Sequence, residues 1–166
     1  RMKIAEMIPE GAECVELGVA AGYFSDAILT LSAAKCLYSI DAWGDHHNDR
    51  EYVRCVQRLA RHGTRSVVIR QFFEDARNLF SDESLDFIYI DAYAHTGQNN
   101  GQILDDWWPK LKKGGIYAGH DYDEAWPKTV DAVNNFATKV SGTIEVIEGI
   151  DDTNKQDSYG SWVIYK

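Results

Sequence analysis

Acidic side chains follow several apolar runs of this sequence, at points where a strand would end. Asp41 closes the run CLYSI, and Asp91 closes the run LDFIYI. His120 and Asp121 follow a third run, IYAG. The ends of adjacent parallel strands lie about 5 Å apart, so these side chains could act together on one ligand.

The first apolar run leads into a turn that contains glycine, in the segment VELGVAAGYFS. Gly18 and Gly22 would let the backbone pass close to a ligand at the N-terminus of the next helix. The spacing differs from the dinucleotide fingerprint GxGxxG, and Glu16 precedes the first glycine, where it could face a cationic ligand. The alternative is a plain tight turn between a strand and a helix.

Further positions could contact a nucleoside. Asp41 stands where nucleotide-binding α/β folds place an acid on the ribose hydroxyls, or it could cap a helix or a turn. Trp43 could pack against an adenosine, although an aromatic side chain there could also serve plain packing. After the third strand, Phe73 could cover a base, and Glu74 or Asp75 could meet its amino edge. Asp75 could instead cap a short helix.

The later acids could hold a metal. Asp91 and Asp121 could bind a hard cation through oxygen ligands. His120 could add a nitrogen ligand, which would favour manganese, iron or zinc over magnesium. Alternatively, His120 or His95 could be a general base, because imidazole titrates near neutral pH. A purely structural role for all four residues is the remaining interpretation.

The elements that must position these residues alternate along the chain. Predicted strands cover residues 13–17, 36–40, 66–69, 85–90, 116–118, 144–147 and 162–165. Predicted helices cover residues 23–32, 49–62, 100–111 and 126–139. In the second of these, the side chains expected to face inward are Tyr52, Val53, Val56 and Leu59. The pattern indicates βαβ units in one largely parallel sheet with an antiparallel strand near the end, followed by no further domain. Residues 149–160 are predicted to form an exposed loop.

Composition limits the classes of function. The 166 residues, 45% of them hydrophobic, fit a single α/β domain. The net charge of −9 argues against a nucleic-acid partner, because phosphate contacts require basic surfaces. Three cysteines without CxxC spacing predict a reducing, cytoplasmic location. No apolar run reaches the length of a membrane span, so no membrane partner is expected.

Four segments together resemble a known family: VELGVAAGYFS, SIDAWG, LDFIYIDAYAH and WWPKLKKGGIYAGHDY. They resemble the class I S-adenosylmethionine-dependent methyltransferases, in the branch of small O-methyltransferases that includes the catechol and macrolide-sugar types. The resemblance implies a doubly wound, Rossmann-like sheet of order 3-2-1-4-5-7-6 with strand 7 antiparallel. It also implies S-adenosylmethionine as cofactor, with a divalent cation, Mg²⁺ or Mn²⁺, in the metal-dependent members.

On this resemblance we predict a role for each matching residue. The predicted cofactor-binding residues are Glu16, Gly18, Ala20, Gly22, Tyr23, Phe24, Asp41, Trp43, Phe73, Glu74 and Asp91. The predicted metal ligands are Asp91, His120 and Asp121, and the predicted catalytic residues are Asp91, His95 and His120. The chain departs from the family where Ala20 replaces a middle glycine, where His120 replaces a carboxylate, and where His95 falls one place late.

Three hypotheses for function follow. The first is methylation of an oxygen on a small molecule or sugar, within residues 1–166 as one domain. Relatives carry an N-terminal helical cap, which we expect to be absent or truncated here, so that the pocket is open or completed by another protomer of a homo-oligomer. The second is a nicotinamide-dependent oxidoreductase, because Asp41 also suits the ribose of that cofactor. The third is a non-catalytic binding module of the same fold.

Overall fold

A seven-stranded sheet organises the chain. The computed structural model describes residues 1–44, 47–149 and 158–166. The strands are β1 (Glu13–Leu17), β2 (Cys36–Asp41), β3 (Ser66–Arg70), β4 (Leu85–Ile90), β5 (Leu111–Gly119), β6 (Glu145–Ile147) and β7 (Ser161–Tyr165). Their order is β3-β2-β1-β4-β5-β7-β6. Strands β1 to β5 pair in parallel, and β7 is antiparallel to β5 and β6, which confirms the predicted topology.

Helical segments connect the strands. They are α1 (Met2–Glu6), α2 (Tyr23–Leu31), α3 (Asp49–Leu59), α4 (Phe73–Ala76), α5 (Gly97–Asn100), α6 (Gln102–Trp107) and α7 (Pro127–Val140). A capping box starts α3, because the Asn48 side chain accepts from the backbone of the first turn and Glu51 accepts from the Asn48 amide. Segment α5 is a short turn with left-handed dihedrals, such as φ 50° and ψ 51° at Gln98.

Apolar side chains fill both faces of the sheet. One cluster, beneath α1, α2 and α3, includes Ile4, Phe24, Ile28, Cys55 and Tyr89. The other, beneath α6 and α7, includes Trp107, Tyr117, Phe136, Trp162 and Ile164. Alternate residues of each strand supply the two clusters because successive side chains of a strand point to opposite faces. Burial of one such side chain stabilises the fold by about 1.5–3 kcal/mol.

The predicted inward face of α3 is right at two positions and wrong at two. Leu59 is buried and Tyr52 packs half-buried against the core, whereas Val53 and Val56 are exposed and Cys55 is buried instead. The helix packs on the side where Gly22 approaches Cys55. A Cβ atom added at Gly22 would lie only 3.0 Å from the Cys55 Sγ atom. The helix also ends at Leu59, short of the predicted boundary, and continues as a 3-10 turn. Hydrophobic spacing alone therefore identified only part of the buried stripe.

The predicted helix over residues 100–111 is also wrong in its extent. Gly101, with φ 82°, separates α5 from α6, and Pro109 lies in a 3-10 turn after α6. Strand β5 begins at Leu111, so Gly114 and Gly115 lie within the strand rather than before it. Its pairing with β4 shifts register in this stretch. Gly114 adopts φ 78°, a conformation that glycine tolerates and that fits the irregular pairing of this part of the strand.

The three cysteines are thiols, of which Cys14 and Cys55 are buried and Cys36 is half-buried. Cys14, Cys36 and Cys55 are all free. Burial raises the pKa of Cys14, and it raises the pKa of Cys55 to about 12, so both stay protonated. Among the described residues, no helix has the length and apolar character needed to cross a membrane. Most of the predicted loop over residues 149–160 lies outside the described residues.

Candidate active site

Backbone hydrogen bonds beyond the strand ends bring the predicted acids to one crevice. The Asp91 amide donates to the Leu17 carbonyl at 2.8 Å, which joins the ends of β4 and β1. The His120 amide donates to the Ile90 carbonyl at 2.9 Å, which joins the ends of β5 and β4. These bonds continue the parallel ladders by one residue, so the side chains that follow the strands stand side by side.

Gly18 shapes the floor of this crevice. Its φ is +87°, and a Cβ atom there would lie 2.1 Å from the Asp91 carbonyl oxygen. A larger residue would therefore push apart the turns that follow β1 and β4. Gly22 serves a different purpose, because it forms the N-terminal boundary of α2 with φ 78° and lines neither cavity of the crevice. Glycine is thus required by close approach at one position and by helix geometry at the other.

Non-glycine residues with positive φ mark the turns that follow four strands. Ala20 (φ 49°) follows β1, Trp43 (φ 46°) follows β2, Tyr93 (φ 55°) follows β4 and Asp121 (φ 61°) follows β5. Such conformations cost about 1–3 kcal/mol each and persist only where the surrounding structure enforces them. Four of the nine non-glycine residues with positive φ in the described part of the chain therefore lie in the turns around the crevice.

Two adjoining cavities, of about 290 and 410 Å³, occupy the crevice. The smaller cavity is lined by Arg1, Glu16, Gly18, Val19, Ala20, Ala21, Tyr23, Phe24, His47, Glu51 and Asp91. The larger cavity is lined by Gly18, Asp41, Ala42, His47, Phe73, Asp91, Ala92, Tyr93, Ala94, His95, Thr96, Asp121 and Trp126. Gly18, His47 and Asp91 belong to both, so the cavities meet beside the end of β4.

Glu16 lies at the base of the smaller cavity and is 1% exposed. Ser25, from the first turn of α2, donates a short hydrogen bond to its carboxylate. Ser25 also contacts the Ser39 hydroxyl at 2.9 Å. Burial raises the pKa of Glu16 to about 8, and the Ser25 hydrogen bond offsets only part of this rise. A cationic ligand would favour the charged form of this carboxyl group.

Asp41 ties two turns together. Its carboxylate accepts from the amides of Val19 (2.9 Å) and Ala20 (3.0 Å), and from the Trp43 amide (2.9 Å). The side chain thus serves the turns and also lines the larger cavity, where contact with a ribose remains a prediction. Trp43 is 1% exposed, donates from its indole to the Ala20 carbonyl and packs against Tyr52, so it supports the turn from behind.

Asp91, His120 and Asp121 form a compact group at the meeting point of the cavities. One ligand atom from each lies within 4.8 Å of the others. The His120 Nδ1 atom is 3.1 Å from Asp121 Oδ1 and 3.5 Å from Asp91 Oδ1. Its Nε2 atom is buried and has no hydrogen-bond partner among the described residues. The spacing of the three ligand atoms suits a single divalent cation.

Positive charge already surrounds Asp91. Burial on its own would raise the pKa of Asp91, but the His120 hydrogen bond and charge, with Arg1, bring that pKa below its usual value. Burial disfavours charge on His120, yet hydrogen bonds to Asp121 and Asp91 raise the pKa of His120 to about 9. At neutral pH this imidazole is therefore a cation held between two carboxylates, and a poor proton acceptor.

The predicted base His95 lies on the opposite wall of the larger cavity. Its ring is exposed and meets the Trp126 ring edge-on at 4.6 Å between centroids. Trp126 in turn contacts Tyr159, which lies 6.3 Å from the His120 ring. The rings of Trp126 and Tyr159 therefore stand between the two histidines, of which exposed His95 lines the larger cavity and buried His120 does not.

The predicted adenine contacts divide into two groups. Phe73 lines the larger cavity, where its ring meets Tyr93 edge-on at 5.5 Å. Glu74 and Asp75 are exposed in the first turn of α4 and lie outside the lining of both cavities. Asp75 is not the N-cap of α4, because Phe72 occupies that position.

Several lining residues escaped the sequence analysis. His47, to which we assigned no role, lines both cavities and pairs with Glu51 at 3.0 Å. Its position just after β2 was the available signal, because loops at the carboxyl ends of strands border the ligand. Ser25 could have been inferred from its place in the first turn of α2. Trp126 ends the loop after β5 that the sequence indicated for acceptor specificity. Arg1 carried no such signal, because only tertiary packing brings it to the crevice.

Comparison with known proteins agrees with this architecture. A methyltransferase domain family matches residues 15–122. No curated protein matches the sequence significantly. An S-adenosylmethionine-dependent O-methyltransferase from Thermotoga maritima is 15% identical with a TM-score of 0.72, over 99% of this chain and 63% of that one. An O-methyltransferase from Bacillus cereus, solved with SAH, is 15% identical with a TM-score of 0.73, over 99% and 78%.

An rRNA methylase from Streptococcus thermophilus shares the same architecture. It is 17% identical with a TM-score of 0.67, over 99% of this chain and 93% of that one. At such identities the likeness establishes the fold alone. The sheet order and the crevice at the carboxyl ends of its strands define a Rossmann-like, class I methyltransferase domain. The chain belongs to the methyltransferase domain family, and the predicted S-adenosylmethionine-dependent methyltransferase is confirmed.

Proposed function

We propose that this enzyme transfers a methyl group to a hydroxyl oxygen of a small molecule or sugar, with help from a bound Mg²⁺ or Mn²⁺ ion. The observation that carries the proposal is the convergence of Glu16, Asp41 and Asp91 on two adjoining cavities. Asp121 and His120 stand at the Asp91 end of the same crevice. The crevice thus offers places for a cofactor, a metal ion and an acceptor side by side.

The two cavities suit the two ends of S-adenosylmethionine. Glu16, at the base of the smaller cavity, is a buried acid suited to the aminoacyl ammonium group. Asp41 and Phe73, in the larger cavity, suit the ribose and the base. When bound, this cofactor supplies a methyl group on a positively charged sulfur. The strained turns around the crevice would preorganise these side chains before the ligand arrives.

The acidic group would hold the metal ion. Asp91 and Asp121 supply carboxylate oxygens and His120 supplies an imidazole nitrogen, all within 4.8 Å of one another. The positive groups that now contact Asp91 support its preference for cations. A divalent ion at this position would lower the pKa of an acceptor hydroxyl bound to it.

The structure of the crevice favours His95 over His120 as the proton acceptor. With the ion bound, His120 would be a neutral metal ligand, and without the ion its pKa, raised to about 9 by Asp121 and Asp91, keeps it protonated near neutral pH. In neither state is it available to accept the proton of an acceptor hydroxyl. His95 is exposed in the larger cavity and can receive the proton of an acceptor hydroxyl. Catalysis would come mainly from holding the acceptor oxygen close to the methyl carbon, with the proton passing to His95.

The relatives support oxygen as the methylated atom, because two of them are O-methyltransferases. RNA is the alternative acceptor, because one of the solved structures with the same fold is an rRNA methylase. The net charge of −9 disfavours RNA, and we propose a small acceptor, no membrane partner and a cytoplasmic location. The methyltransferase family match favours methyl transfer over the nicotinamide and non-catalytic hypotheses.

Calorimetry with S-adenosylhomocysteine and Mn²⁺ tests the proposal directly. We expect the chain to bind the nucleoside, and to bind Mn²⁺ with an affinity that Asp121→Asn lowers at least about tenfold. Glu124→Gln removes an exposed acid from the same loop and should leave Mn²⁺ binding unchanged. Absence of nucleoside binding in the unmodified chain would refute the proposal.

A transfer assay separates the acceptors. Labelled S-adenosylmethionine is supplied with a panel of small hydroxyl compounds and, separately, with structured RNA. Labelling of a hydroxyl compound that is lost in His95→Ala supports the proposal. Labelling of RNA alone would contradict the small acceptor.

A further inference from the structure

Helix α1 holds a cationic side chain at the mouth of the smaller cavity. Ile4 and Ala5 are fully buried in the cluster beneath α2. The Arg1 carbonyl accepts from the amides of Ile4 (2.9 Å) and Ala5 (3.2 Å), which fixes Arg1 at the start of the helix. The packing of α1 on α2 therefore determines where the Arg1 side chain points.

That side chain enters the cavity. The Arg1 Nη1 atom lies 2.6 Å from Asp91 Oδ2, and the side chain is only 11% exposed. The guanidinium carbon lies 5.5 Å from the centroid of the Phe24 ring. Arg1 lines the cavity together with Glu16, whose carboxyl group its charge also influences. The guanidinium is thus desolvated and held between an acid and an aromatic face.

The acids of this cavity can pair with the two cations of an aminoacyl sulfonium group, but the carboxylate of that group still needs a positively charged partner. The ligand brings two cations, its ammonium and its sulfonium, and one carboxylate. Glu16 and Asp91 can meet the two cations, and Glu51 is already paired with His47. A carboxylate entering among these acids needs a positive partner. Among the described lining residues, Arg1 is the side chain that carries a permanent positive charge.

We propose that Arg1 binds the α-carboxylate of S-adenosylmethionine and is a cofactor-binding residue of this enzyme. The guanidinium would exchange Asp91 for the carboxylate, and Asp91 would become available to the sulfonium side of the crevice. The planar fork of arginine suits a carboxylate because two N–H groups can donate in parallel. The inference rests on the proposed cofactor site, and it adds the recognition of one specific group.

Two ligands that differ only in the carboxylate test the contact between Arg1 and that group. S-adenosylhomocysteine and its decarboxylated analogue differ by the carboxylate alone, and calorimetry would measure both on the unmodified chain and on Arg1→Ala. We expect Arg1→Ala to weaken S-adenosylhomocysteine binding about 10- to 100-fold, as for a charged hydrogen bond. Binding of the decarboxylated analogue should change less than about threefold or become tighter.

Lys3→Ala is the matched control, because Lys3 is an exposed cation on the same helix. It should leave both affinities unchanged. Arg1→Lys keeps the charge but not the two parallel N–H donors, so its affinity for S-adenosylhomocysteine should lie between those of Arg1→Ala and the unmodified chain. If Arg1→Ala does not fold, Arg1→Lys replaces it in the comparison. Equal losses for both ligands, or tighter S-adenosylhomocysteine binding by Arg1→Ala, would overturn the inference. Failure of the unmodified chain to bind either nucleoside would instead refute the cofactor site itself.

Discussion

The crevice and the aromatic core beneath α7 bury polar groups in opposite ways. In the core, the Tyr117 hydroxyl is fully buried and donates to the Leu104 carbonyl at 2.9 Å. In the crevice, Glu16 is as deeply buried with a pKa raised to about 8, and the His120 Nε2 atom has no partner among the described residues. The core buries neutral polar atoms, and among the described residues the indole nitrogens of Trp107 and Trp162 have no hydrogen-bond partner there. The crevice instead buries ionisable groups, whose charge a ligand can change.

This difference indicates which region stabilises the fold and which one functions. The strained residues Ala20, Trp43, Tyr93 and Asp121 all follow strands at the crevice. Rings in the core instead pack edge-on or tilted, as Tyr117 does with Phe136. A binding site that is preorganised lowers stability, and the packed core must compensate for it. Substitutions in the two regions should therefore separate stability from binding.

The largest effect is expected in the core. Trp107 is fully buried, and Trp107→Ala should lower the free energy of unfolding by about 3–5 kcal/mol through lost contacts and a cavity. Trp126→Ala, the same change in the crevice wall, should cost about 1–2 kcal/mol because the side chain is half-buried. Urea unfolding followed by circular dichroism measures both. Equal losses would remove the distinction between the two regions.

Gly18→Ala tests whether a substitution in the crevice lowers the free energy of unfolding as much as one in the core. The Cβ atom would lie 2.1 Å from a backbone oxygen at φ +87°, so we expect a loss of about 2–5 kcal/mol. Gly11→Ala is the control, because Gly11 also has positive φ (+75°) but open space around it. It should cost about 1–2 kcal/mol. Both are measured by urea unfolding, and a loss no larger than that of Gly11→Ala would show that the turns can separate freely.

Glu16→Gln should stabilise the chain without ligand while weakening the binding of S-adenosylhomocysteine. Protonated Glu16 contributes stability below its ordinary pKa of 4.5, and this contribution is lost as the pH rises to about 8, its pKa in the fold. Glutamine carries no charge at any pH. The variant should therefore gain on the order of 5 kcal/mol above pH 8 and almost nothing near pH 4.5.

Unfolding curves recorded across this pH range, with calorimetry at pH 7.5 on the same samples, test the prediction for Glu16. Ser25→Ala is a useful companion, because it removes the hydrogen bond that favours the charged form of Glu16. It should raise the pKa of Glu16 further and so extend the loss of stability to higher pH. A Glu16→Gln variant whose stability follows that of the unmodified chain at every pH would show that Glu16 is not strained by burial.

The smallest effect is expected for a satisfied hydroxyl in the core. Tyr117→Phe removes the hydrogen bond to Leu104 while keeping the ring, and should cost about 1 kcal/mol. Tyr165→Phe, at a half-exposed tyrosine, should change stability by less than about 0.5 kcal/mol. Thermal unfolding and the affinity for S-adenosylhomocysteine are both measured. Tyr117→Phe should leave that affinity unchanged, and a loss of binding would connect this core to the crevice.

Local patterns were enough to locate the strands. Strands β1 and β4 coincide with the predicted ranges 13–17 and 85–90, because each is an apolar run with an acid or glycine at its end. The family resemblance supplied the sheet order. The helices were less predictable: of the residues predicted to face inward in α3, Leu59 is buried but Val53 and Val56 are exposed, and Cys55 is buried instead. Only the approach of Gly22 to Cys55 selects the buried side.

The sequence by itself determined the strands, the acids that close them and the glycine turn, because these depend on residue type and short-range spacing. The tertiary structure alone decided how those residues behave: that Asp41 binds the amides of two turns, and that Asp91 draws Arg1 into the crevice. It also decided that His120 is buried as a cation between two aspartates. Burial and long-range contacts set these properties, and both arise only when distant segments of the chain pack together.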